Sequence, residues 1–245
     1  METKTAMQKL IDGAAALGLA LGEREVERFQ RYYEELARWN ERVNLTAITV
    51  YDDVQIGHFL DSLTVVLALD GTTPRRAVDV GSGAGFPGLP LKIVFSDMAL
   101  TLVESVGKRA RFLEHVIAAL GLDGVSVALG RAETLARQPQ HREGYDLALA
   151  RGVAPLPTLL ELTLPFCRLG GRLVAHRRGD DLAAATSALM RLGGAIVAWQ
   201  PIELPGLADG RALLVVDKVA PTPDTYPRRV GIPARRPLTQ ASLRL

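Results

Sequence analysis

Cysteine is nearly absent from the 245-residue sequence, which contains only Cys167. A single cysteine excludes an intramolecular disulfide and a metal site built from several thiolates. The four histidines include no pair at the i, i+4 spacing of a helical zinc site. The sequence therefore predicts a protein without a bound metal. The apolar segment LTLPFCRLGG predicts that Cys167 is a buried helical cysteine rather than a nucleophile.

Long uncharged runs are absent as well. The longest segment without Asp, Glu, Lys or Arg covers residues 80–91, whereas about 20 apolar residues are needed to span a bilayer. The first residues, METKTAMQKLIDG, lack the apolar core of a secretory signal. We therefore expect a cytoplasmic protein with no membrane partner. The net charge of +2 is too small to indicate nucleic-acid binding by itself, and 48% hydrophobic residues are typical of a globular protein.

The first 71 residues predict a helical cap. Between residues 23 and 44, apolar side chains recur at spacings of three, four and seven without Pro or Gly, which indicates a long amphipathic helix. A second helix is predicted over about residues 51–69. The polar face of the first helix carries a row of arginines: Arg24, Arg28, Arg31, Arg38 and Arg42. This row is either a solvated face with favourable Glu–Arg pairs or part of a nucleic-acid surface.

From residue 72 onwards, short β-rich runs alternate with helical segments. The predicted strands cover residues 77–81, 100–105, 125–130, 145–152 and 171–177, and the predicted helices cover residues 87–95, 106–120, 155–167 and 181–192. This alternation is typical of a doubly wound α/β fold with a mainly parallel sheet. Residues 195–204 and 211–219 flank a short Pro/Gly/Asp segment and predict an antiparallel hairpin at one sheet edge.

The predicted domain organisation has three parts. The helical cap covers residues 1–71, and the α/β domain covers residues 72–220. Residues 221–245 contain five prolines and several arginines. We expect this basic C-terminal segment to run extended over the surface.

A glycine-rich loop follows the first predicted strand and precedes a helix. Residues 81–88 read GSGAGFPG. Glycines let the backbone approach a ligand closely, and the free N–H groups at the start of the following helix bind polar or anionic groups. Glu104 ends the next strand, 19 residues after Gly85, close to the ~20 residues expected for a carboxylate that binds ribose hydroxyls. Together, the loop and the carboxylate predict a nucleotide-like ligand.

The spacing of the glycines distinguishes between nucleotides. Gly81, Gly83 and Gly85 form G-x-G-x-G, whereas the third glycine of the dinucleotide fingerprint G-x-G-x-x-G comes one residue later. With the preceding Asp79, the loop resembles the first motif of class I S-adenosylmethionine-dependent methyltransferases. This resemblance implies a Rossmann-like, seven-stranded, mostly parallel sheet that ends in an antiparallel hairpin, here with an N-terminal helical extension.

Longer segments carry a closer resemblance. They read WNERVNLTAI, HFLDSL, DVGSGAGFPGLPLKI, LVESVGKRARFL, GRAE, DLALARGVAPLPTLLEL and TPDTYPRRVGIPARRPL. With these segments the chain resembles, over nearly its whole length, the glucose-inhibited division protein B (RsmG) family of bacterial small-subunit rRNA guanine-N7 methyltransferases. The resemblance implies S-adenosylmethionine as cofactor and small-subunit ribosomal RNA, or the small ribosomal subunit, as partner. One departure is visible, because His176-Arg177-Arg178-Gly179 stands where a Lys-Gly pair is expected after the fifth strand.

The resemblance also implies a set of cofactor-binding residues. They are Gly81, Gly83, Phe86, Glu104, Ser105, Val106, Ala132, Glu133 and Arg151. Of these, Gly81, Gly83 and Phe86 are expected to contact the methionine and adenosine parts. Glu104 is expected to bind the ribose, and the residues at 105, 106, 132 and 133 are expected to lie at the adenine. Arg151 is expected at the methyl-transfer end.

The chemistry of guanine N7 agrees with the sequence after the fourth predicted strand. An exocyclic amine must lose a proton, and methyltransferases of that class carry Asn/Asp-Pro-Pro-Tyr/Phe at this place, where the present chain has Ala150-Arg151-Gly152-Val153. Guanine N7 has a free lone pair and needs no general base. We therefore predict no general base, and Arg151 is the candidate for positioning the reactants.

The target guanine should lie in a loop of the RNA, because the deep, narrow major groove of A-form RNA hides N7. The candidates for a basic RNA-binding surface are Lys108, Arg109, Arg228, Arg229, Arg235 and Arg236. The arginines of the C-terminal segment either track phosphates or only solubilise the terminus. Asn40, His58 and Asp61 either bind RNA or brace the N-terminal helices.

Three other functions stay open on the sequence. A nucleotide-binding oxidoreductase would bind NAD rather than S-adenosylmethionine. A non-catalytic RNA-binding module would bind RNA in a salt-sensitive way without affinity for the cofactor. A small-molecule methyltransferase would not need the arginines of the C-terminal segment.

Overall fold

Seven strands form one sheet in the computed structural model, which describes residues 6–179, 182–207 and 209–239. The strands are β1 (Arg76–Val80), β2 (Ala99–Glu104), β3 (Val125–Leu129), β4 (Tyr145–Arg151), β5 (Cys167–Arg178), β6 (Gly194–Pro201) and β7 (Arg211–Lys218). Their order in the sheet is β3-β2-β1-β4-β5-β7-β6. Strands β1 to β5 are parallel, and β7 is antiparallel to both β5 and β6. The predicted doubly wound fold with a terminal antiparallel hairpin is confirmed.

The strand order determines where a ligand can bind. Strand β1 lies between β2 and β4, so the chain first adds strands on one side of β1 and then on the other. In open α/β sheets this reversal leaves a crevice at the carboxyl ends of the two central strands, and ligands bind there. The glycine loop follows β1 directly and therefore lies at this crevice.

Helices cover both faces of the sheet. Those described are α1 (Gln8–Ala16), α2 (Glu23–Val43), α3 (Tyr51–Val54), α4 (Asp61–Leu63), α5 (Gly88–Val94), α6 (Gly107–Leu120), α7 (Ala132–Leu135), α8 (Leu156–Thr163), α9 (Leu182–Leu192) and α10 (Ile232–Arg235). The apolar side of α2, with Phe29 and Tyr32, shares one hydrophobic core with Leu102 and Leu149 of the sheet. Helices α8 and α9 pack on the other face. The N-terminal helices are thus part of the main core, and the predicted three-part division of the chain stays a prediction.

Most predicted boundaries agree with the structure to within one or two residues, but two helices differ. The helix predicted over residues 51–69 is broken into α3, a π-helix (Gln55–Leu60), α4 and a 3-10 helix (Thr64–Ala68). The helix predicted over residues 155–167 ends at Thr163 and continues as a 3-10 turn (Leu164–Phe166). Pro165 has no N–H group for the next α-helical hydrogen bond. Helices α1, α7 and α10 are not among the predicted helices, although α1 lies within the predicted helical cap.

Cys167 is buried as predicted, but it is not helical. It is the first residue of β5, which begins four residues before the predicted strand. Burial raises the pKa of its thiol to about 12, so the thiol is protonated and unreactive at neutral pH.

The C-terminal segment is bound more closely to the body of the protein than predicted. Between residues 221 and 239 it contains one short helix, α10, and the side chains of Thr222, Pro233 and Leu238 are buried. It therefore does not simply run extended over the surface, because its apolar side chains pack into the protein. The last six residues of the predicted segment lie outside the described residues.

No helix within the described ranges is long and apolar enough to cross a membrane. Nor does that part of the chain bring three His, Cys, Asp or Glu side chains together in a way that could hold a metal ion.

Candidate functional site

The glycine loop turns sharply at the carboxyl end of β1. Gly81, Gly83 and Gly85 have φ values of 74°, 60° and 94°, in the left-handed region that glycine adopts without strain. The amide of Gly81 donates to the carbonyl of Val103 at 2.8 Å, which fixes the loop against β2. A Cβ on Gly83 would meet no atom of the described residues closer than 3.9 Å. This glycine therefore presents its backbone to open space, where a ligand can approach.

Glu104 connects the loop to the end of β2. Its buried carboxylate accepts hydrogen bonds from Gly83 N at 2.9 Å through Oε2 and from Val106 N at 2.7 Å through Oε1. The carboxylate is thus held in a fixed orientation at the crevice, and each oxygen keeps acceptor capacity for a further donor. This arrangement fits the predicted role of Glu104 as a partner for ribose hydroxyls.

Helix α2 supports the loop from within the protein. The hydroxyl of the buried Tyr32 donates to Ala84 O at 2.5 Å, and its ring stacks on Phe86 with the centroids 5.4 Å apart. A Cβ on Gly85 would lie 2.5 Å from Leu89 Cδ1 and 2.6 Å from Tyr32 Oη. Only glycine fits there, so the loop conformation depends on its packing against the N-terminal helices.

A cavity of about 290 Å³, the glycine-loop cavity, lies beside the loop. Six of the predicted cofactor-binding residues line it: Gly81, Glu104, Ser105, Val106, Ala132 and Glu133. Val106 is 44% exposed and offers an apolar surface. Arg109, predicted to bind RNA, lines the same cavity. The structure thus brings together residues from the ends of β1, β2 and β3, whereas Gly83, Phe86 and Arg151 do not line this cavity.

Asp79 lies under the glycine loop and is fully buried. Its Oδ2 accepts a hydrogen bond from Gly88 N at 2.9 Å, and its Oδ1 has no partner among the described residues. Burial raises the pKa of Asp79 to about 7, although the Gly88 amide and the Arg151 guanidinium favour the ionised form. Asp79 thus fixes the start of α5 beneath the glycine loop through the Gly88 amide.

Arg151 ends β4 and is held by the N-terminal helices. Its Nη1 donates to Gly57 O at 3.2 Å and to Asp61 Oδ2 at 2.9 Å, and its Nη2 donates to His58 Nδ1 at 3.1 Å. The guanidinium carbon lies 4.9 Å from the centroid of the Phe86 ring, on which His58 also stacks. Gly57 and His58 belong to the π-helix, a distortion that is frequent at functional sites. Arg151 therefore has a fixed position beside the loop.

A second cavity of about 460 Å³, the arginine cavity, adjoins the first, since Gly152 lines both. Its charged lining consists of Asp61, Arg151, Arg177, Arg178 and Arg211, together with His58 and His176. Burial and the nearby Arg151 lower the pKa of His58 to about 3, and burial lowers the pKa of His176. Both imidazoles are therefore neutral at pH 7, and the guanidinium groups give the cavity a positive charge.

The residue that organises the arginine cavity was not assigned from the sequence. Asp61 is 5% exposed, and its oxygens accept from Arg151 and from Arg211 Nη1. Arg211 lies 150 residues away in sequence, so no spacing pattern points to this pair. The only signal was the segment HFLDSL, which contains both His58 and Asp61. The sequence left two roles open for His58 and Asp61, namely RNA binding and bracing of the N-terminal helices. The contacts with Arg151 and Arg211 are of the bracing kind.

Asn40 also has structural contacts. Its Oδ1 accepts from the amides of Leu45 and Thr46, and its Nδ2 donates to Thr46 O at 3.0 Å.

Three arginines of the row on α2 also have partners within the protein. Arg28 donates to the carbonyls at the end of α6, and the next two arginines pair with the buried Glu35. Arg28 therefore joins α2 to the end of α6, whereas the pairs of Arg31 and Arg38 with Glu35 lie within α2.

The predicted RNA-binding residues lie in different surroundings. Lys108, Arg229, Arg235 and Arg236 are exposed. Arg228, in contrast, donates through Nε and Nη2 to Glu161, a carboxylate with no exposed surface, at 2.9 and 2.5 Å. The Arg228 guanidinium therefore has a structural partner inside the protein.

Comparisons with known proteins agree with this geometry. The family model described as GidB, rRNA small subunit methyltransferase G, matches residues 25–195. Relatives named ribosomal RNA small subunit methyltransferase G include a protein of Roseiflexus castenholzii, 52% identical over 95% of this chain and 100% of its own length. Another, from Dehalococcoides mccartyi, is 49% identical over 95% of this chain and 100% of its own length.

Solved structures share the fold. A mutant of MtNAS in complex with S-adenosylmethionine matches with a TM-score of 0.54 and 18% identity, over 89% of this chain and 80% of that one. A putative O-methyltransferase from Klebsiella pneumoniae matches with a TM-score of 0.53 and 14% identity, over 86% of this chain and 96% of that one. The family model and the named relatives do not favour the oxidoreductase or the non-catalytic binding module. The match to the family model and the identity to these relatives show that the chain belongs to the GidB family of small-subunit ribosomal RNA methyltransferases.

Proposed function

We propose that the protein transfers the methyl group of S-adenosylmethionine to N7 of a guanine in small-subunit ribosomal RNA. The observation that carries this proposal is the pair of cavities that meet at Gly152. The glycine-loop cavity has the groups that a nucleoside requires, and the arginine cavity has the positive charge that an RNA nucleotide requires. Arg151, at the end of β4, lines the arginine cavity and directly precedes Gly152.

The residues of the glycine-loop cavity fit S-adenosylmethionine. Glu104 offers acceptors to the ribose hydroxyls, and the exposed side chain of Val106 offers an apolar surface to the adenine ring. Beside this cavity, the backbone at Gly83 has open space in which a ligand can approach. Sites of this composition bind nucleosides in doubly wound folds.

S-adenosylmethionine bound there would supply the methyl group: a nucleophile in line with the methyl–sulfur bond would form the new bond as the old one breaks, and S-adenosylhomocysteine would leave as a neutral thioether. Guanine N7 attacks through its lone pair, and no proton has to leave that nitrogen. The site agrees with this requirement, because His58 is held neutral and has both ring nitrogens bonded, to Thr46 and to Arg151. Arg151 therefore contributes by position and charge rather than as a base.

The RNA also needs a basic surface that binds its phosphates. We infer that this surface uses Lys108, Arg109, Arg229, Arg235 and Arg236. Arg228 instead anchors the C-terminal segment through Glu161. We infer also that the substrate is ribosomal RNA alone or within a small ribosomal subunit, and that the protein works in the cytoplasm, where ribosomes are assembled.

The test is to incubate the purified protein with methyl-labelled S-adenosylmethionine and undermethylated ribosomal RNA or small subunits, and then to digest the RNA to nucleosides. The expected result is label in 7-methylguanosine. The matched control is Glu104→Gln, which weakens the binding of the ribose and should raise the KM for the cofactor. Label in another nucleoside, or in no RNA at all, would contradict the proposal. Transfer to a small molecule would favour the remaining alternative.

A further inference from the structure

One wall of the glycine-loop cavity comes from the C-terminal segment. Pro233 and Ala234 line the cavity together with Thr158 of α8. Pro233 is buried, whereas Arg229, Arg235 and Arg236 on either side of this turn are exposed. Residues 231–234, which we call the 231–234 turn, therefore contact the cavity and the basic surface at once.

Two buried side chains hold this turn in place. Glu133 Oε1 accepts a hydrogen bond from Gly231 N at 2.9 Å, and Thr158 Oγ1 donates to Pro233 O at 2.9 Å. Glu133 is 4% exposed and Thr158 is 1% exposed. Gly231 has a φ of 79°, which lets the chain turn into the cavity at this residue.

The chain is also tied down before it reaches the turn. The Arg137 guanidinium donates to the carbonyls of Asp224, Thr225 and Pro227. The Arg142 guanidinium donates to the carbonyls of Thr222, Pro223 and Tyr226. Charged donors make strong hydrogen bonds to carbonyl groups. Together with the Arg228–Glu161 pair, these contacts fix the chain just before the 231–234 turn, which lines the glycine-loop cavity.

We propose that the 231–234 turn is a binding element for the adenosine part of the cofactor, and that Glu133 acts through this turn as a positioning residue. This inference rests on the proposed function. The Glu133 carboxylate is directed to the Gly231 amide, so its contribution to cofactor binding passes through the turn. The Pro233 ring gives the cavity an apolar wall, which packs against a planar base with little loss of entropy.

The inference is tested with two shortened chains. One ends at Thr239 and keeps the turn; the other ends at Val230 and loses it but keeps the contacts of Arg137, Arg142 and Arg228. Calorimetry measures the Kd of S-adenosylhomocysteine and of 5′-methylthioadenosine without RNA. The chain ending at Thr239 should bind like the full chain. The chain ending at Val230 should bind both ligands at least tenfold more weakly, because the adenosine part is common to them.

A double-mutant cycle separates positioning from direct contact. Glu133→Leu should weaken binding in the full chain by a factor close to that of the truncation. It should have no further effect in the chain that ends at Val230, because the turn on which it acts is absent. An equal loss in both backgrounds would show a direct contact and overturn the positioning role.

Folding of each variant is checked by circular dichroism and melting temperature. If the chain ending at Val230 does not fold, Thr158→Val in the full chain takes its place. This variant removes only the hydroxyl that donates to Pro233 O, and it should raise the Kd of both ligands about threefold. Equal affinity in the variants and the full chain would overturn the inference. Absence of binding in the full chain itself would instead overturn the proposed function.

Discussion

Arg151 Nη1 donates a hydrogen bond to Asp61 Oδ2 at 2.9 Å, and this contact joins the end of β4 to the N-terminal helices across 90 residues of sequence. The second oxygen of Asp61 accepts from Arg211 Nη1 at 2.8 Å. One buried carboxylate therefore orients two guanidinium groups of the arginine cavity. Burial opposes ionisation of Asp61, but the neighbouring guanidinium groups of Arg151 and Arg211 favour the carboxylate, and the pKa of Asp61 is lowered. The Arg151 guanidinium, which lines the arginine cavity, is thus fixed by contacts within the protein.

Arg151→Ala should slow methylation without unfolding the sheet. The variant loses a positioned cation, and misplacement of reactants costs on the order of 100-fold in rate. Single-turnover transfer at saturating cofactor and RNA measures this loss. Arg151→Lys should not restore the rate, because one ammonium group does not reproduce the fork of a guanidinium. The matched control is Arg168→Ala, which removes an arginine paired with Asp146 outside both cavities. Unchanged transfer in Arg151→Ala would refute the role.

Stability should fall as the pH is lowered from about 6.5 towards 4, partly because of His58. Burial and the nearby Arg151 lower its pKa to about 3 in the folded protein, whereas an unfolded histidine titrates near ~6.5. Between these values the unfolded chain binds more protons than the folded one, so the free energy of unfolding decreases as the pH decreases. The contribution is at most ~1.4 kcal/mol per pH unit.

Urea denaturation at several pH values checks this expectation. His58→Asn should show a shallower pH dependence than the unaltered protein, while His176, whose pKa is also lowered by burial, contributes equally in both. The same slope in both proteins would show that His58 is not held neutral.

Gly85→Ala should destabilise the protein far more than Gly121→Ala. Both glycines have positive φ values, so both substitutions carry a backbone cost of ~1–2 kcal/mol. Only at Gly85 would the new Cβ also collide with Leu89 and Tyr32; at Gly121 it would meet no described atom within 4 Å. Overpacking adds ~1–3 kcal/mol. Urea denaturation measures the difference, and equal losses would mean that the Tyr32 contact does not constrain the loop.

The arginines of the C-terminal segment should separate into two groups. Replacing Arg229, Arg235 and Arg236 together by Gln should weaken RNA binding and make it less sensitive to salt. The slope of log K against log salt concentration should fall by ~0.7 for each phosphate of single-stranded RNA that the variant no longer neutralises. The melting temperature should change little, because these side chains are exposed. Binding measured across a range of salt concentrations gives the slope, and an unchanged slope would remove these residues from the RNA surface.

Arg228→Gln is the contrasting variant. It leaves Glu161 without its charged partner inside the protein, and breaking such a pair costs ~3–5 kcal/mol. The melting temperature should therefore fall, while the salt dependence of RNA binding stays the same. A stable variant with a reduced slope of log K against log salt concentration would show that Arg228 binds RNA.

The glycine loop and Glu104 were predictable because their signals are local. The loop follows a strand at a fixed spacing, and Glu104 ends the next strand, so parallel pairing places them at the same edge of the sheet. The pattern also predicted the hairpin of β6 and β7. Arg228 was less predictable, because its charge and its proline-rich surroundings suggested phosphate contacts, while its observed partner lies 67 residues earlier in sequence.

Contiguous residues were enough to predict all seven strands and most of the longer helices, the place of the glycine loop and the family, because hydrophobic periodicity, glycine spacing and long motifs are all local properties of the chain. Packing in three dimensions, in contrast, selects which carboxylate each arginine meets and brings the 231–234 turn to the glycine-loop cavity. These contacts join residues 67 to 150 positions apart. The sequence does not show which residue a charged side chain will pair with, because the packing of the helices and strands determines that partner.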